Sequence, residues 1–175
     1  MEILSLALVL LLIAYFSGIE IAFISANKLR IELLKEKGQT RAKIVSEFNN
    51  NPSRFISTLL IGLNIALVLF GSMMARLLTP ERFSFLPHDE AYLMIIETFT
   101  TTALVLLLGE LIPKMLFRIN ADQMLLFFAY PTKYLVYMPL QPLSDLFHTL
   151  SRKTIKLIAG KDFHDNVQSF SQEDL

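Results

Sequence analysis

Cysteine is absent from the 175 residues. That excludes disulfides, thiolate metal sites and cysteine catalysis together. A bound metal would have to use oxygen ligands or the three histidines. His88, His148 and His164 fall in loop or interfacial stretches with no partner at i,i+4, and they read as solvated or structural. Charge is also scarce. Only 18% of residues are Asp, Glu, Lys or Arg, against about a quarter in ordinary soluble domains. Formal net charge is zero, so there is neither a nucleic-acid footprint nor an acidic tail. No Lys or Arg precedes Lys28. A secretory signal needs a positive leading region, and the apolar stretch continues past Gly18 as IEIAFI, so the N-terminus reads as a retained membrane helix. Paired catalytic carboxylates, a Ser–His pair and an H-E-x-x-H motif are missing too. No enzymatic activity is expected.

What is present is apolar: 53% hydrophobic residues and a mean hydropathy of +0.49. A spanning helix needs roughly 20 mostly apolar residues. Three segments qualify, at about residues 3–24, 55–74 and 91–116. The fold class is therefore an all-α membrane protein, with three transmembrane helices and amphipathic juxtamembrane helices. Between the first two spans, Leu29, Leu33 and Leu34 fall at helical spacing, as do Ala42, Val45 and Phe48. Gly38 separates these two short helices, and Asn51-Pro52 ends the second. Between the second and third spans, TPERFSFLPHDE reads as a loop.

Residues 120–160 carry apolar runs too short to span. Pro131, Pro139 and Pro142 cut them into pieces, and Tyr130, Tyr134 and Tyr137 suit a membrane interface. These read as helices lying against the bilayer, with a broken fourth span as the other reading. Residues 1–160 form one transmembrane domain on this view, and 161–175 begin a linker.

Orientation follows from basic residues in short loops. Lys28, Arg30, Lys35, Lys37, Arg41, Lys43 and Arg54 sit between the first two spans, and only Arg76 and Arg82 lie between the next two. Lys114, Arg118, Lys133, Arg152, Lys153 and Lys156 follow. All agree on an N-terminus outside, three crossings and a cytoplasmic C-terminus in the cell membrane.

Polar groups inside the hydrocarbon are costly and mark function by default. In FSGIEIAF, the Ser17–Gly18 pair can loosen the helix and free carbonyls for a cation. With Glu20 at the boundary, the same residues also read as a packing notch. In IGLN, Gly62 and Asn64 offer a notch and an amide oxygen, for a metal or for a neighbouring helix. In GELIPK, Pro113 removes the backbone bond to the Gly109 carbonyl, setting a free carbonyl beside the Glu110 carboxylate. The competing reading there is a Glu110–Lys114 pair at i,i+4. Thr98, Thr100, Thr101 and Thr102, near Glu97, read as bonding their own backbone. Ser17, Asn64, Gly109 and Glu110 together make an all-oxygen candidate site, with Gly18, Glu20 and Gly62 as possible additions. Hard divalent cations such as Mg²⁺ prefer such ligands.

FSGIEIAF, then a basic amphipathic stretch, then NPSRFISTLLIGLN, then GELIPK resembles the CNNM/CorC family, the cyclin-M-like Mg²⁺ transporters once labelled hemolysin-like. The resemblance covers about residues 3–175. It implies a homodimer of three-helix domains with a belt of juxtamembrane helices. It also implies Mg²⁺ export coupled to Na⁺ entry, and continuation into cytoplasmic CBS modules that bind nucleotide. By motif, Ser17 matches the family's first-helix serine, and Gly109 and Glu110 match the GE of the third helix. Asn64 matches the second asparagine of a G-N-N stretch whose first is Leu63 here. Leu67 stands where other members have an asparagine. These departures bear on ion preference.

Overall fold

The computed structural model describes residues 1–80 and 89–143, with 145, 146 and 149; among them there are helices and no strand. Helix α1 is Glu2–Ser25, α2 Lys28–Glu36, α3 Thr40–Asn49 and α4 Pro52–Leu77. The third span is continuous over Glu90–Ile119. It consists of α5 (Glu90–Leu104), a π-helical segment Val105–Leu111, and α6 (Ile112–Ile119). Then come α7 (Ala121–Phe127), the single turn α8 (Ala129–Pro131) and a second π-helical segment, Thr132–Tyr137. Three helices are thus long and apolar enough to cross a membrane: α1 with 24 residues, α4 with 26 and the third span with 30. At 1.5 Å per residue each exceeds the roughly 30 Å hydrocarbon core. The expected loop from Thr79 to Glu90 and the juxtamembrane stretch beyond 143 lie largely outside the described residues.

Helix α4 shows why the bundle forms. Phe55, Leu59, Leu63, Ala66, Phe70 and Met74 recur every three or four residues and are all buried, which makes one apolar stripe along the helix. It packs on Ile13, Phe16, Ile19 and Phe23 of α1. Helix α3 closes one end. Its Ala42, Val45 and Phe48 are buried as the spacing predicts, and the Phe48 ring stacks on Phe55 at 4.2 Å. Gly38 adopts φ +84°, a left-handed conformation that glycine reaches without strain, so the chain can reverse between α2 and α3. On α2 the inward face differs in part from the leucine pattern. Ile31 is fully buried, whereas Leu29 and Leu33 are 70% and 50% exposed. Leu29 and Leu33 face outward near the end of the first span, while Leu34 is half-buried and packs against the core as its spacing predicts.

The prolines behave differently from the sequence expectation. Helical structure continues through Pro131, Pro139 and Pro142. Both π-helical segments end two residues before a proline. Ile112 donates to the Leu107 carbonyl and Met138 to Lys133, each five residues back, and Pro113 and Pro139 follow. A proline ring clashes with the carbonyl four residues earlier in α spacing. The wider π turn moves that carbonyl away, so the helix absorbs the ring instead of breaking.

Candidate functional site

Helix α1 lies between α4 and the third span, and glycines set both approaches. A Cβ added at Gly62 would sit 2.4 Å from the Phe16 ring; at Gly109, 2.9 Å from Ile13 Cγ2; at Gly18, 2.7 Å from the Phe117 ring. Each glycine therefore accepts a side chain of the neighbouring helix against its backbone. Ile13–Gly109 and Gly18–Phe117 bracket Ser17 on α1 and Pro113 on the third span. Ser17 is fully buried there, and its Oγ has no hydrogen-bond partner. Helix α1 is unbroken through Ser17 and Gly18, so the expected loosening of its backbone does not occur. What the serine offers is a bare hydroxyl in the middle of a span.

The second oxygen source is the helix turn before Pro113. In uniform α spacing only the Gly109 carbonyl would lose its donor. The π register changes this count. Ile112 serves Leu107, and once α spacing resumes in α6, Met115 serves Leu111. The carbonyls of Leu108, Gly109 and Glu110 can then draw only on Pro113 and Lys114, and Pro113 has no N–H. Two of these three carbonyls lack a backbone donor. Gly109 and Pro113 are the buried residues of this stretch, and Gly109 is the one packed against Ile13 of α1. The Glu110 carboxylate is half-buried and pairs with Lys114 Nζ at 3.3 Å, the ion pair that the i,i+4 spacing offered as the alternative.

Asn64 stands apart from this group. It is exposed on α4, and its Nδ2 donates to the Leu60 carbonyl at 2.8 Å. Leu63 holds the buried position beside it, and Leu67 packs partly against the core. The two places where the resemblance calls for asparagine are thus apolar and turned inward, while the asparagine that remains faces outward. Gly62 meets Phe16 and serves packing. Glu20 is half-buried. Among the described residues no three His, Asp or Glu side chains converge, so a cation held here would have at most one or two carboxylates and would take its other ligands from hydroxyl, amide and carbonyl oxygens.

Two features escaped the sequence reading. Tyr15 Oη and Thr132 Oγ1 hydrogen-bond at 2.7 Å across 117 residues, joining α1 to the second π-helical segment, and Thr132 is fully buried. Thr101 Oγ1 is buried without a partner, although the threonine cluster read as self-bonding. A helical-spacing count could have singled out neither.

The sequence family described as the cyclin M transmembrane N-terminal domain matches residues 3–175. The UPF0053 inner membrane protein YfjD of Escherichia coli is 28% identical over 169 residues, covering 93% of this chain and 36% of that protein. A UPF0053 protein of Synechocystis is 29% identical over 121 residues, 65% of this chain and 27% of that one. The polyamine export protein of Haemophilus influenzae is 31% identical over 118 residues, 64% of this chain and 27% of that one. The chain spans about a quarter to two-fifths of the length of these relatives. With three membrane-length helices and a match along nearly its whole length, the chain is a membrane domain of the cyclin M transmembrane family.

Proposed function

We propose that this domain carries a divalent cation, Mg²⁺, across the membrane, in exchange for Na⁺. The observation that supports this reading is the fully buried, unpartnered Ser17 hydroxyl on α1, a helix packed against the third span's proline-interrupted turn. An unsatisfied polar group costs several kcal/mol in hydrocarbon. A buried hydroxyl without a partner, beside a turn where proline withholds a backbone donor, is suited to replace part of a cation's hydration shell. Glu110 supplies charge, and Lys114 occupies its carboxylate when no ion is bound. The domain acts as a homodimer on this reading, because the third span buries only Gly109 and Pro113 within one chain. On this reading the N-terminus lies outside and the C-terminus in the cytoplasm, which the excess of Lys and Arg between the first two spans supports.

A second cargo class, an organic polycation, is favoured by particular residues. Leu63 and Leu67 line α4 with apolar surface where amide ligands were expected, and Glu110 holds a primary ammonium. A relative is named a polyamine export protein. A non-transporting, ion-sensing module is the remaining alternative. Flux in proteoliposomes separates the three. Mg²⁺ movement that depends on Ser17 and Glu110 supports the proposal. Movement of a diamine but not Mg²⁺ selects the second cargo. Divalent binding with no flux of either leaves the sensing role.

A further inference from the structure

A polar cleft of about 230 Å³ opens where the first and third spans end. It is smaller than the roughly 300–1,000 Å³ of sites for drug-sized ligands. Asn27, Arg30, Arg118, Asn120, Asp122 and Gln123 line it. Asp122 organises one wall. Its Oδ1 accepts the Asn27 backbone N–H at 2.8 Å and its Oδ2 accepts Arg30 Nη1 at 3.0 Å. Arg30 has five N–H donors and gives one to this contact. Arg118 has no partner among the described residues, and it is exposed in the last turn of α6. Two guanidiniums and one carboxylate leave the cleft with one net positive charge. The nine-residue helix α2 also begins here, adding the positive end of its dipole.

The level of the cleft decides what reaches it. The first and third spans run in the same direction and both end at its rim, at Ser25 and Ile119. Ile119 is 74% exposed beside it, and the exposed Phe127 follows on α7. Further along the chain, Tyr130 and Tyr134 stack on each other at 6.4 Å, the kind of aromatic pair found at headgroup depth. An arginine fork matches a phosphate in a bidentate manner, and anionic headgroups concentrate near basic residues at such a surface.

We propose that this cleft binds the phosphate group of an anionic phospholipid, held by Arg118 and the free donors of Arg30, with the acyl chains lying along Ile119. This site is independent of the cation reading. The phosphate could come from a lipid headgroup or from inorganic phosphate in the aqueous phase, and the experiment separates them.

The protein is reconstituted in nanodiscs of phosphatidylcholine, with and without phosphatidylglycerol, and melted thermally; bound lipid is read by native mass spectrometry. Phosphatidylglycerol is expected to raise the melting temperature and to co-purify selectively. Inorganic phosphate added to phosphatidylcholine discs is expected to do neither; stabilisation by it instead would keep the anion site and assign it to a soluble ligand. Arg118→Gln is expected to lose the lipid preference by about tenfold or more, the scale of one charge-assisted hydrogen-bond pair. Arg118→Lys keeps the charge without the fork, so it retains part of the preference and serves where Gln does not fold. Identical melting of the wild type in all three conditions overturns the proposal. So does full retention of the lipid preference in either variant.

Discussion

Glu110→Gln separates the two roles this carboxylate could have. As the partner of Lys114 it makes one contact at 3.3 Å, with side chains 27% and 37% exposed. At an effective dielectric of about 20 the gross attraction is about 5 kcal/mol. Solvent exposure and side-chain entropy reduce exposed i,i+4 helix pairs to a net 0.3–0.5 kcal/mol, roughly. Losing that pair lowers the melting temperature by about 1–2 °C for a domain of this size. Removing a carboxylate from the membrane offsets some of this. As an ion ligand Glu110 has a larger effect. Mg²⁺ at a hundred times its dissociation constant adds about 2.7 kcal/mol, which is about 5–10 °C.

The expected pattern is an apo protein little changed by Glu110→Gln, together with loss of most of the Mg²⁺-induced shift. Lys114→Met is expected to preserve or enlarge the shift, because it removes the ammonium that competes for the carboxylate. Thermal melts of wild type and both variants, with and without millimolar-range Mg²⁺, read all of this at once. An unchanged Mg²⁺ shift in Glu110→Gln refutes the site. Loss of apo stability in both variants, with the Mg²⁺ response intact, assigns the carboxylate to the ion pair alone.

Other outcomes follow from the same structure. A cysteine placed at Lys37 is expected to react with a membrane-impermeant maleimide only from the cytoplasmic side, and one at Ser84 only from outside; the reverse pattern overturns the topology. Gly62→Ala sets a methyl group 2.4 Å from the rigid Phe16 ring, and overpacking of that kind costs about 1–3 kcal/mol, visible as a lower melting temperature without Mg²⁺. The Glu32 carboxyl is held below its ordinary value of 4.5 by hydrogen bonds from Lys35 and then Ser46. Its contribution is therefore complete above pH 4.5 and is lost as pH falls through the depressed value. Protection factors in α2 and α3, with the intrinsic pH dependence of exchange divided out, are expected to stay constant above that pH and to fall below it, and Ser46→Ala should narrow the difference.

The spans were legible in the sequence because crossing a bilayer demands about 20 mostly apolar residues, and on α4 the bundle adds a burial period. Phe55, Leu59, Leu63, Ala66, Phe70 and Met74 can be counted off without a structure. The short helices were harder. On α2 the leucines mark a helix correctly but its inner face only in part: Leu34 packs on the core with Ile31, while Leu29 and Leu33 point outward, where at a membrane boundary a leucine is not penalised. Pro131, Pro139 and Pro142 read as breaks under the rule for a plain α-helix, and register changes of the backbone escape a rule about side chains. The Tyr15–Thr132 bond joins positions 117 residues apart, which local spacing cannot foresee. Of the candidate site, Ser17 and the turn at Gly109–Glu110 were placed by motif and arithmetic. The orientation of Asn64 was not, because a helical wheel gives no account of which neighbour fills the inside.

That orientation matters for where a cation would pass. A cation leaving water needs oxygens not already spent on other bonds. On α4 they are spent: Ser57 Oγ donates to the Ser53 carbonyl, Thr58 Oγ1 to Arg54 and Asn64 Nδ2 to Leu60, each at 2.8 Å. Such back-bonding satisfies a polar side chain within its own helix, leaving on Asn64 only an outward amide oxygen. The first and third spans differ. Ser17 Oγ and Thr101 Oγ1 are buried without partners, and the turn before Pro113 has fewer donors than carbonyls. Ser17 and the turn before Pro113 lie along the seam where α1 packs on the third span, with Glu110 on that turn, whereas Thr101 belongs to α5, which packs on α4 and on the π-helical segment that follows it; α4 contributes mainly packing through Leu63 and Gly62. On this distribution Leu63 and Leu67 alter the wall opposite the path more than the path itself. Replacing the seam's Ser17 should impair ion handling more than restoring asparagine at 63 improves it.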